Sequence, residues 1–260
     1  YSPAEIVVSN GAKHSLYNIF QAICEKGDEV IIPAPYWLSY PAMVNLAEAK
    51  SVFAPTSASN NFKLTEKDLA SKITSKTKCL VLNSPSNPTG SLYEKAELDM
   101  IARLAVKHKF FVISDEIYEK LVYDNKPYVS IGSLGKDIRD LTVTVNGVSK
   151  SYSMTGWRIG YAAGPIEIMK AIANVQSHAT SNPCSISQKA TLAGLEGDQK
   201  FILDMRAEFQ KRRDLMVSRL NKMKNMSCIK PKGAFYVFCD ISKFKQGSAK
   251  IANRLLEEAR

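Results

Sequence analysis

Two cationic side chains in the stretch NGVSKSYSMTGWRIGY stand where they could do chemistry. Lys150 lies between two serines just after an apolar, strand-like run, and Arg158 follows eight residues later. A neutral lysine amine is a nucleophile and a base, and a guanidinium is a planar fork that binds phosphate or carboxylate through two hydrogen bonds. The chain has 35 lysines and arginines, so either residue alone is more often a solvated surface charge, and only its position can indicate a role.

Other polar residues also follow apolar runs. They are the segment Gly11-Ala12-Lys13 after EIVVS, Asn83 and Asn87 after CLVL, and Asp115 and Tyr118 after FFVI. Each has an ordinary structural explanation on its own, as a turn, as a helix start, or as a carboxylate near the positive end of a helix. Together they form a chemically coherent set that predicts one shared site.

The elements that would position these residues alternate along the chain. Strand-like runs such as CLVL, FFVIS, LTVTV and RIGYAAGP are separated by helical patterns, including one directly after FFVIS and others near residues 38–49 and 94–108. Such alternation requires crossover connections, which predict an α/β fold with a mostly parallel sheet covered by helices on both faces. Ligands bind beyond the carboxyl ends of the strands in such sheets.

The alternation stops near residue 200, where a long helix is predicted to about residue 223 and a strand in GAFYVFCDIS. We therefore expect a large domain over residues 1–199. Residues 200–260 would form the incomplete start of a smaller α+β domain.

Composition excludes several classes of protein. The net charge is +10, but the basic residues between 211 and 232 alternate with apolar ones, which favours a solvated face over nucleic-acid binding. No apolar run approaches the ~18 residues of a membrane span. Three scattered histidines predict no metal site, and five cysteines without a C-x-x-C pair are typical of reduced thiols in a cytoplasmic protein.

Six ordered segments carry a family resemblance, namely SNGAK, PAPYW, NSPSNPTG, SDEIY, VSKSYSMTGWRIGY and GAFYVF. They resemble the class I, fold-type I aminotransferases that use pyridoxal 5′-phosphate (PLP), and within them the bacterial and plastid type of aspartate aminotransferase. The resemblance runs from residue 1 to about residue 240. It implies the PLP-dependent transferase fold and a fragment of a longer chain, whose remainder would supply the arginine for the substrate α-carboxylate.

The resemblance assigns roles around the cofactor ring. Lys150 would be the catalytic residue, forming a Schiff base with PLP and moving a proton between the substrate and the cofactor. Asp115 would lie beside the pyridine nitrogen, and Asn87 and Tyr118 would hydrogen bond to the phenolate oxygen. Trp37 would stack on the ring.

The resemblance also assigns the phosphate and the substrate. Arg158, the backbone at Gly11 and Ala12, and the Ser149 hydroxyl would bind the phosphate, although Gly147 stands where the family often has another serine. Lys13 would reach the distal carboxylate of a dicarboxylic substrate. Trp37 and Asn87 would also contact the substrate.

The implied activity is ping-pong transamination between aspartate and 2-oxoglutarate. Prephenate or aromatic amino acid transamination is the enzymatic alternative, and a noncatalytic PLP-binding regulatory module is the non-enzymatic one. The expected partners are a small amino acid, a 2-oxo acid and a second copy of the chain, with neither nucleic acid nor membrane. The location would be cytoplasmic, or a plastid if the protein comes from a plant.

Overall fold

The computed structural model describes residues 1–259. Nine strands are found in these residues: β1 (Ile6–Ser9), β2 (Glu29–Ala34), β3 (Lys50–Pro55), β4 (Thr77–Asn83), β5 (Phe111–Asp115), β6 (Thr142–Gly147), β7 (Gly160–Ala163), β8 (Ser227–Cys228) and β9 (Cys239–Asp240). The same residues contain ten α-helices: α1 (Ala12–Ile23), α2 (Ser39–Leu46), α3 (Glu66–Ala70), α4 (Lys95–His108), α5 (Lys136–Arg139), α6 (Val148–Ser151), α7 (Ile166–Ala179), α8 (Ser185–Glu196), α9 (Lys200–Leu220) and α10 (Ser248–Glu258).

Strands β1 to β7 form one sheet in the order β1-β7-β6-β5-β4-β2-β3. The pairs β2–β3, β2–β4, β4–β5 and β5–β6 are parallel. Strand β7 is antiparallel to both β1 and β6. The prediction of a mostly parallel sheet is therefore confirmed.

Both faces of the sheet are covered, because successive side chains of a strand point to opposite sides. In β4, Cys79 and Val81 pack in the cluster that includes α1, α2 and α7. Leu80 and Leu82, which alternate with them, pack in the cluster that includes α3, α4 and α5. This two-sided burial explains why β4 reads as a continuous apolar run.

The strand ends place the polar residues at one edge. Asn83 and Asp115, the last residues of β4 and β5, are register partners. Gly147 at the end of β6 pairs with Gly160, and Gly160 pairs in turn with Ser9 at the end of β1. The turns after β1, β4, β5 and β6 therefore meet at this edge, as predicted.

The prediction of a helix directly after β5 is wrong, because the chain forms turns there. The Glu119 amide donates to the Glu116 carbonyl at 2.9 Å and the Leu121 amide donates to that of Tyr118 at 2.8 Å, which are turns. Glu116 is buried, and its Oε1 accepts hydrogen bonds from the hydroxyls of Ser114 and Ser130. It is therefore a buried turn residue instead of a solvated carboxylate at a helix start.

The predicted strand in GAFYVFCDIS is confirmed only at Cys239–Asp240, which pairs with β8. The chain before it bonds to the turn after β5, since the Ala234 amide donates to the Leu121 carbonyl at 2.9 Å. Ala234 is buried against Tyr118 and Leu121. This segment therefore lies against the turn after β5, at the edge of the sheet where the polar residues meet. The proposed boundary at residues 199 and 200 stays a prediction.

In the part of the chain described, none of the helices combines the length and the apolar character needed to cross a bilayer.

Candidate active site

A cavity of about 230 Å³ opens at the edge where these turns meet. Its walls include nine of the ten residues to which the resemblance assigns a role: Ala12, Lys13, Trp37, Asn87, Asp115, Tyr118, Ser149, Lys150 and Arg158. The tenth, Gly11, lies directly behind Arg158. The structure therefore brings together residues that are up to 147 positions apart, from Gly11 to Arg158.

Asp115 lies on the inner wall and is only 4% exposed. Its Oδ2 accepts a hydrogen bond from the Tyr40 hydroxyl at 2.6 Å, and its Oδ1 accepts one from the Ile117 amide at 3.3 Å. Burial raises the pKa of Asp115 to about 6, and these two hydrogen bonds and the positive charge of Lys150 oppose the rise. The carboxyl group is therefore mostly ionised at neutral pH.

Lys150 lies on the one-turn helix α6, half-buried in the same cavity. Partial burial lowers the pKa of Lys150, the nearby Arg158 lowers it further, and Asp115 partly opposes the change. Its Nζ lies 5.7 Å from the centroid of the Phe235 ring. A lower pKa increases the neutral fraction of the amine, which is the nucleophilic form.

A pair of tyrosines forms another part of the wall. The hydroxyl oxygens of Tyr118 and Tyr236 are 2.6 Å apart, and the rings meet edge to face. Burial and then the Tyr236 hydroxyl raise the pKa of Tyr118 well above its ordinary value. Tyr118 is therefore a neutral phenol that can donate a hydrogen bond into the cavity.

Asn83 holds the turn that carries Asn87. Its Oδ1 accepts a hydrogen bond from the Asn87 amide at 2.6 Å, and its Nδ2 donates to the Asp115 carbonyl at 3.0 Å. These two bonds connect the end of β4 to the end of β5. The backbone of Asn87 is thereby held in place, and Asn87 lines the cavity wall.

Lys13 and Trp37 meet at the mouth. The Lys13 ammonium lies 4.8 Å from the centroid of the Trp37 ring, which is within the range of a cation–π interaction. Trp37 in turn meets the Tyr40 ring edge to face, with centroids 5.3 Å apart. An exposed cation is thus held over an aromatic face at the entrance.

The far end of the cavity is a cradle for an anion. Gly11 has a φ of 95°, and a Cβ on it would lie 2.4 Å from Nη2 of Arg158. A Cβ on Gly160 would lie 2.2 Å from the Ala12 nitrogen. Gly11 thus lets the Arg158 guanidinium approach, and Gly160 lets the start of α1 approach. A guanidinium and a helix start both attract anions.

One of the expected backbone donors in this cradle is already hydrogen bonded within the protein. The Gly11 amide donates to the Ser9 carbonyl at 2.8 Å, so Gly11 serves the cradle by lacking a side chain. Ala12 and Lys13 are the first two residues of α1, where amides have no partner within the helix. The amides at this helix start that remain available to a ligand are therefore those of Ala12 and Lys13.

Two tyrosines of the cavity wall, Tyr40 and Tyr236, were missed by the sequence reasoning. Tyr40 lies three positions after Trp37, and this helical spacing could have indicated it. Tyr236 contacts Tyr118 from 118 positions away, so no local pattern could have paired them. Within residues 1–259, no group of three or more His, Cys, Asp or Glu side chains could hold a metal ion.

Comparison with known proteins gives a family match. The family model described as aminotransferase class I and II matches residues 1–260. A curated relative, the aspartate/prephenate aminotransferase of Cereibacter sphaeroides, is 48% identical over 99% of this chain and 67% of its own length.

Solved structures are also similar. The aspartate aminotransferase of Rhizobium meliloti has a TM-score of 0.96 at 42% identity, covering 100% of this chain and 68% of its own. The Thermus thermophilus aspartate aminotransferase with maleate has a TM-score of 0.93 at 42% identity, covering 99% and 67%. This chain spans about two thirds of the length of these proteins. On the match to the family model and these identities, the chain belongs to the class I and II aminotransferase family.

Proposed function

We propose that this chain is the cofactor-binding part of a PLP-dependent aminotransferase that transfers the amino group of aspartate to 2-oxoglutarate. One observation carries the proposal. The amine of Lys150, the carboxylate of Asp115 and the guanidinium of Arg158 line a single cavity at the carboxyl ends of parallel strands. The names of the relatives support the reaction class and the substrate.

The donor set fits each polar group of PLP. Asp115 would pair with the pyridine nitrogen, Asn87 and Tyr118 would bond to the phenolic oxygen, and Lys150 would react with the aldehyde. Arg158, the start of α1 and the Ser149 hydroxyl would hold the phosphate in the cradle that the two glycines leave open. Trp37 offers an aromatic face to the ring.

Bound PLP supplies an electron-accepting ring that stabilises negative charge at the substrate Cα. The protein would supply two proton-controlling groups. Lys150, whose pKa is lowered by burial and Arg158, would take the Cα proton as a general base. Asp115 would keep the ring nitrogen protonated, because a buried anion favours a protonated neighbour.

The preference for a dicarboxylate rests on Lys13. Its ammonium lies at the mouth over Trp37, on the first turn of α1, where a helix dipole disfavours a cation. A charge kept at an unfavourable position points to a ligand that compensates it. The related Thermus structure described with maleate, a dicarboxylate, supports the same preference.

Prephenate is a second candidate substrate, because the Cereibacter relative is named for both aspartate and prephenate. Prephenate also carries a carboxylate away from the reacting carbon, so Lys13 suits it equally. A noncatalytic PLP-binding module is disfavoured because the similar curated and solved proteins are named as aminotransferases, and not because of the lysine, which PLP binding alone would also need.

The domain division and the assembly are further proposals. The seven-stranded sheet lies within residues 6–163, which supports a large domain over residues 1–199. A homodimer is supported by apolar side chains on α8 that face solvent, with Ile186 71% exposed and Leu192 and Leu195 also exposed. Light scattering on the full-length protein tests the dimer, and a monomer at all concentrations would contradict it.

The function is tested by a half-reaction in the full-length protein. PLP-loaded enzyme mixed with aspartate in stoichiometric excess should release oxaloacetate and leave pyridoxamine 5′-phosphate on the protein. Alanine and phenylalanine are tested for comparison as amino donors with a single carboxylate. In the second half-reaction, prephenate is compared with 2-oxoglutarate as the amino acceptor. Failure of every amino acid to convert the bound cofactor would contradict the proposed activity.

A further inference from the structure

Tyr40 is a buried residue of α2 without an assigned role. It is 2% exposed, and its hydroxyl donates a 2.6 Å hydrogen bond to Oδ2 of Asp115. The bond joins a helix on one face of the sheet to the last residue of β5, 75 positions away. Burial, followed by the Asp115 charge and this hydrogen bond, raises the pKa of Tyr40, so the phenol stays protonated and acts as a donor.

The other groups that face Asp115 are few. Lys150 on α6 contributes a positive charge, and the Ile117 amide donates to Oδ1 at 3.3 Å, a longer bond than that from Tyr40. Tyr118, in the turn after β5, is neutral and hydrogen bonded to Tyr236. The Tyr40 hydroxyl is therefore the closest donor to this carboxylate among the described residues.

We propose that Tyr40 is a positioning residue whose hydroxyl keeps the Asp115 carboxylate ionised and fixed at the cavity wall. The carboxylate can then bind a ligand with a protonated heteroaromatic nitrogen. The part of this inference that concerns a ligand rests on the proposed function, in which PLP is the ligand with such a nitrogen. The hydrogen-bond part concerns the protein alone.

The physical reason is the balance of burial and hydrogen bonding at Asp115. Burial favours the neutral acid, and a donor to the charged form favours the carboxylate. Removing only the Tyr40 hydroxyl would leave the ring and its contact with Trp37 in place. The proton affinity of Asp115 should then rise, and a neutral acid binds a protonated ring nitrogen more weakly than a carboxylate does.

The test compares Tyr40→Phe with Tyr93→Phe in the full-length protein. Tyr93 is equally buried, but its hydroxyl accepts a hydrogen bond from the Leu64 amide in a different part of the core. The ionisation of Asp115 is followed without cofactor by infrared difference spectra against pH, and Asp115→Asn identifies the carboxyl band. The midpoint should rise by about one pH unit in Tyr40→Phe and stay unchanged in Tyr93→Phe.

An unchanged midpoint in folded Tyr40→Phe would overturn the inference. If that variant does not fold, wild type with ring-labelled tyrosine provides the second measurement. One tyrosine band should shift with the same midpoint as Asp115 and lose that shift in Asp115→Asn. No such band would likewise overturn the inference.

PLP affinity tests the ligand part. Tyr40→Phe should bind PLP about tenfold more weakly at pH 7, with the deficit shrinking as the pH rises and Asp115 ionises. Unchanged affinity despite a raised carboxyl midpoint would contradict this part. If wild type binds no PLP through Lys150, the proposed function fails, while the cofactor-free titration still decides the role of the Tyr40 hydroxyl.

Discussion

Gly11 and Arg158 are in direct contact, so close that a Cβ on Gly11 would lie 2.4 Å from Nη2 and 3.0 Å from Cζ of the arginine. Arg158 itself has a φ of 55°, and its Nη1 donates to the Thr155 carbonyl at 2.8 Å. The guanidinium is thus held between a glycine and a turn, facing the start of α1. This arrangement is the basis of the proposed phosphate cradle.

Gly11→Ala should weaken PLP binding by about 10- to 100-fold, because the new methyl group displaces the Arg158 fork and a charge-assisted contact contributes about 1.5–3 kcal/mol. Fluorescence titration with PLP measures the change. Alanine is also strained at a φ of 95°, so stability should fall as well.

Gly27→Ala is the matched control for that strain. Gly27 has a φ of 100°, and a Cβ there would meet nothing within 4 Å. It should lose stability like Gly11→Ala but keep its affinity for PLP. Equal losses of affinity in both variants would contradict the role of the Gly11–Arg158 contact.

Asp115→Asn should stabilise the cofactor-free protein at pH 8. The pKa of Asp115 is raised from 3.8 to about 6, so the folded state holds more protons between these values and stability falls as the pH rises through them. The loss of folding stability caused by ionising this buried carboxyl group is complete well above pH 6 and amounts to about 3 kcal/mol at most. Urea unfolding should show that the increase in the free energy of unfolding over wild type is smaller at pH 4 than at pH 8. An equal increase at both pH values would contradict the burial argument.

Lys13→Met should lower kcat/KM for aspartate by about 10- to 100-fold, since a charge-assisted contact to the distal carboxylate is lost. Activity with alanine, which lacks that carboxylate, should change little. Lys107→Met, at an exposed position near the end of α4, is the control and should alter neither. Equal losses with both substrates would show that Lys13 supports the site without selecting the substrate.

Arg213→Met should destabilise the fold by about 2–3 kcal/mol, because Arg213 is buried and its loss removes charge-assisted hydrogen bonds. Its side chain is 3% exposed and forms a forked pair with Asp124, at 2.7 and 2.9 Å. Arg212→Met removes an exposed pair with Glu208 and a contact of the guanidinium with the Phe209 ring, at 5.9 Å to its centroid, and should cost about 1 kcal/mol or less. Similar unfolding midpoints for the two variants would contradict this account.

The sequence predicted the sheet and most of the cavity, because apolar periodicity and the ends of strands are local features. Asp115, Asn87 and Lys150 follow buried runs, so their placement at one edge follows from the parallel arrangement. The helix expected after β5 failed because burial of Glu116 overrides its preference for a helix start.

The contacts that complete the site are not local. Tyr236 reaches Tyr118, and Tyr40 reaches Asp115, through the packing of distant segments. The register that brings Gly160 against Ala12 depends on the antiparallel strand β7. These pairings depend on tertiary packing, so local spacing could have indicated Tyr40 as a wall residue but not its hydrogen bond to Asp115.

The most direct test of the central claim is reductive trapping of PLP on the full-length protein, with wild type, Lys150→Ala and the control Lys107→Ala. Borohydride treatment followed by peptide mass spectrometry should find PLP attached to Lys150 in wild type and in Lys107→Ala, and no specific attachment in Lys150→Ala. Attachment at another lysine, or equal labelling of Lys150→Ala, would contradict the assignment of Lys150 as the cofactor-binding amine.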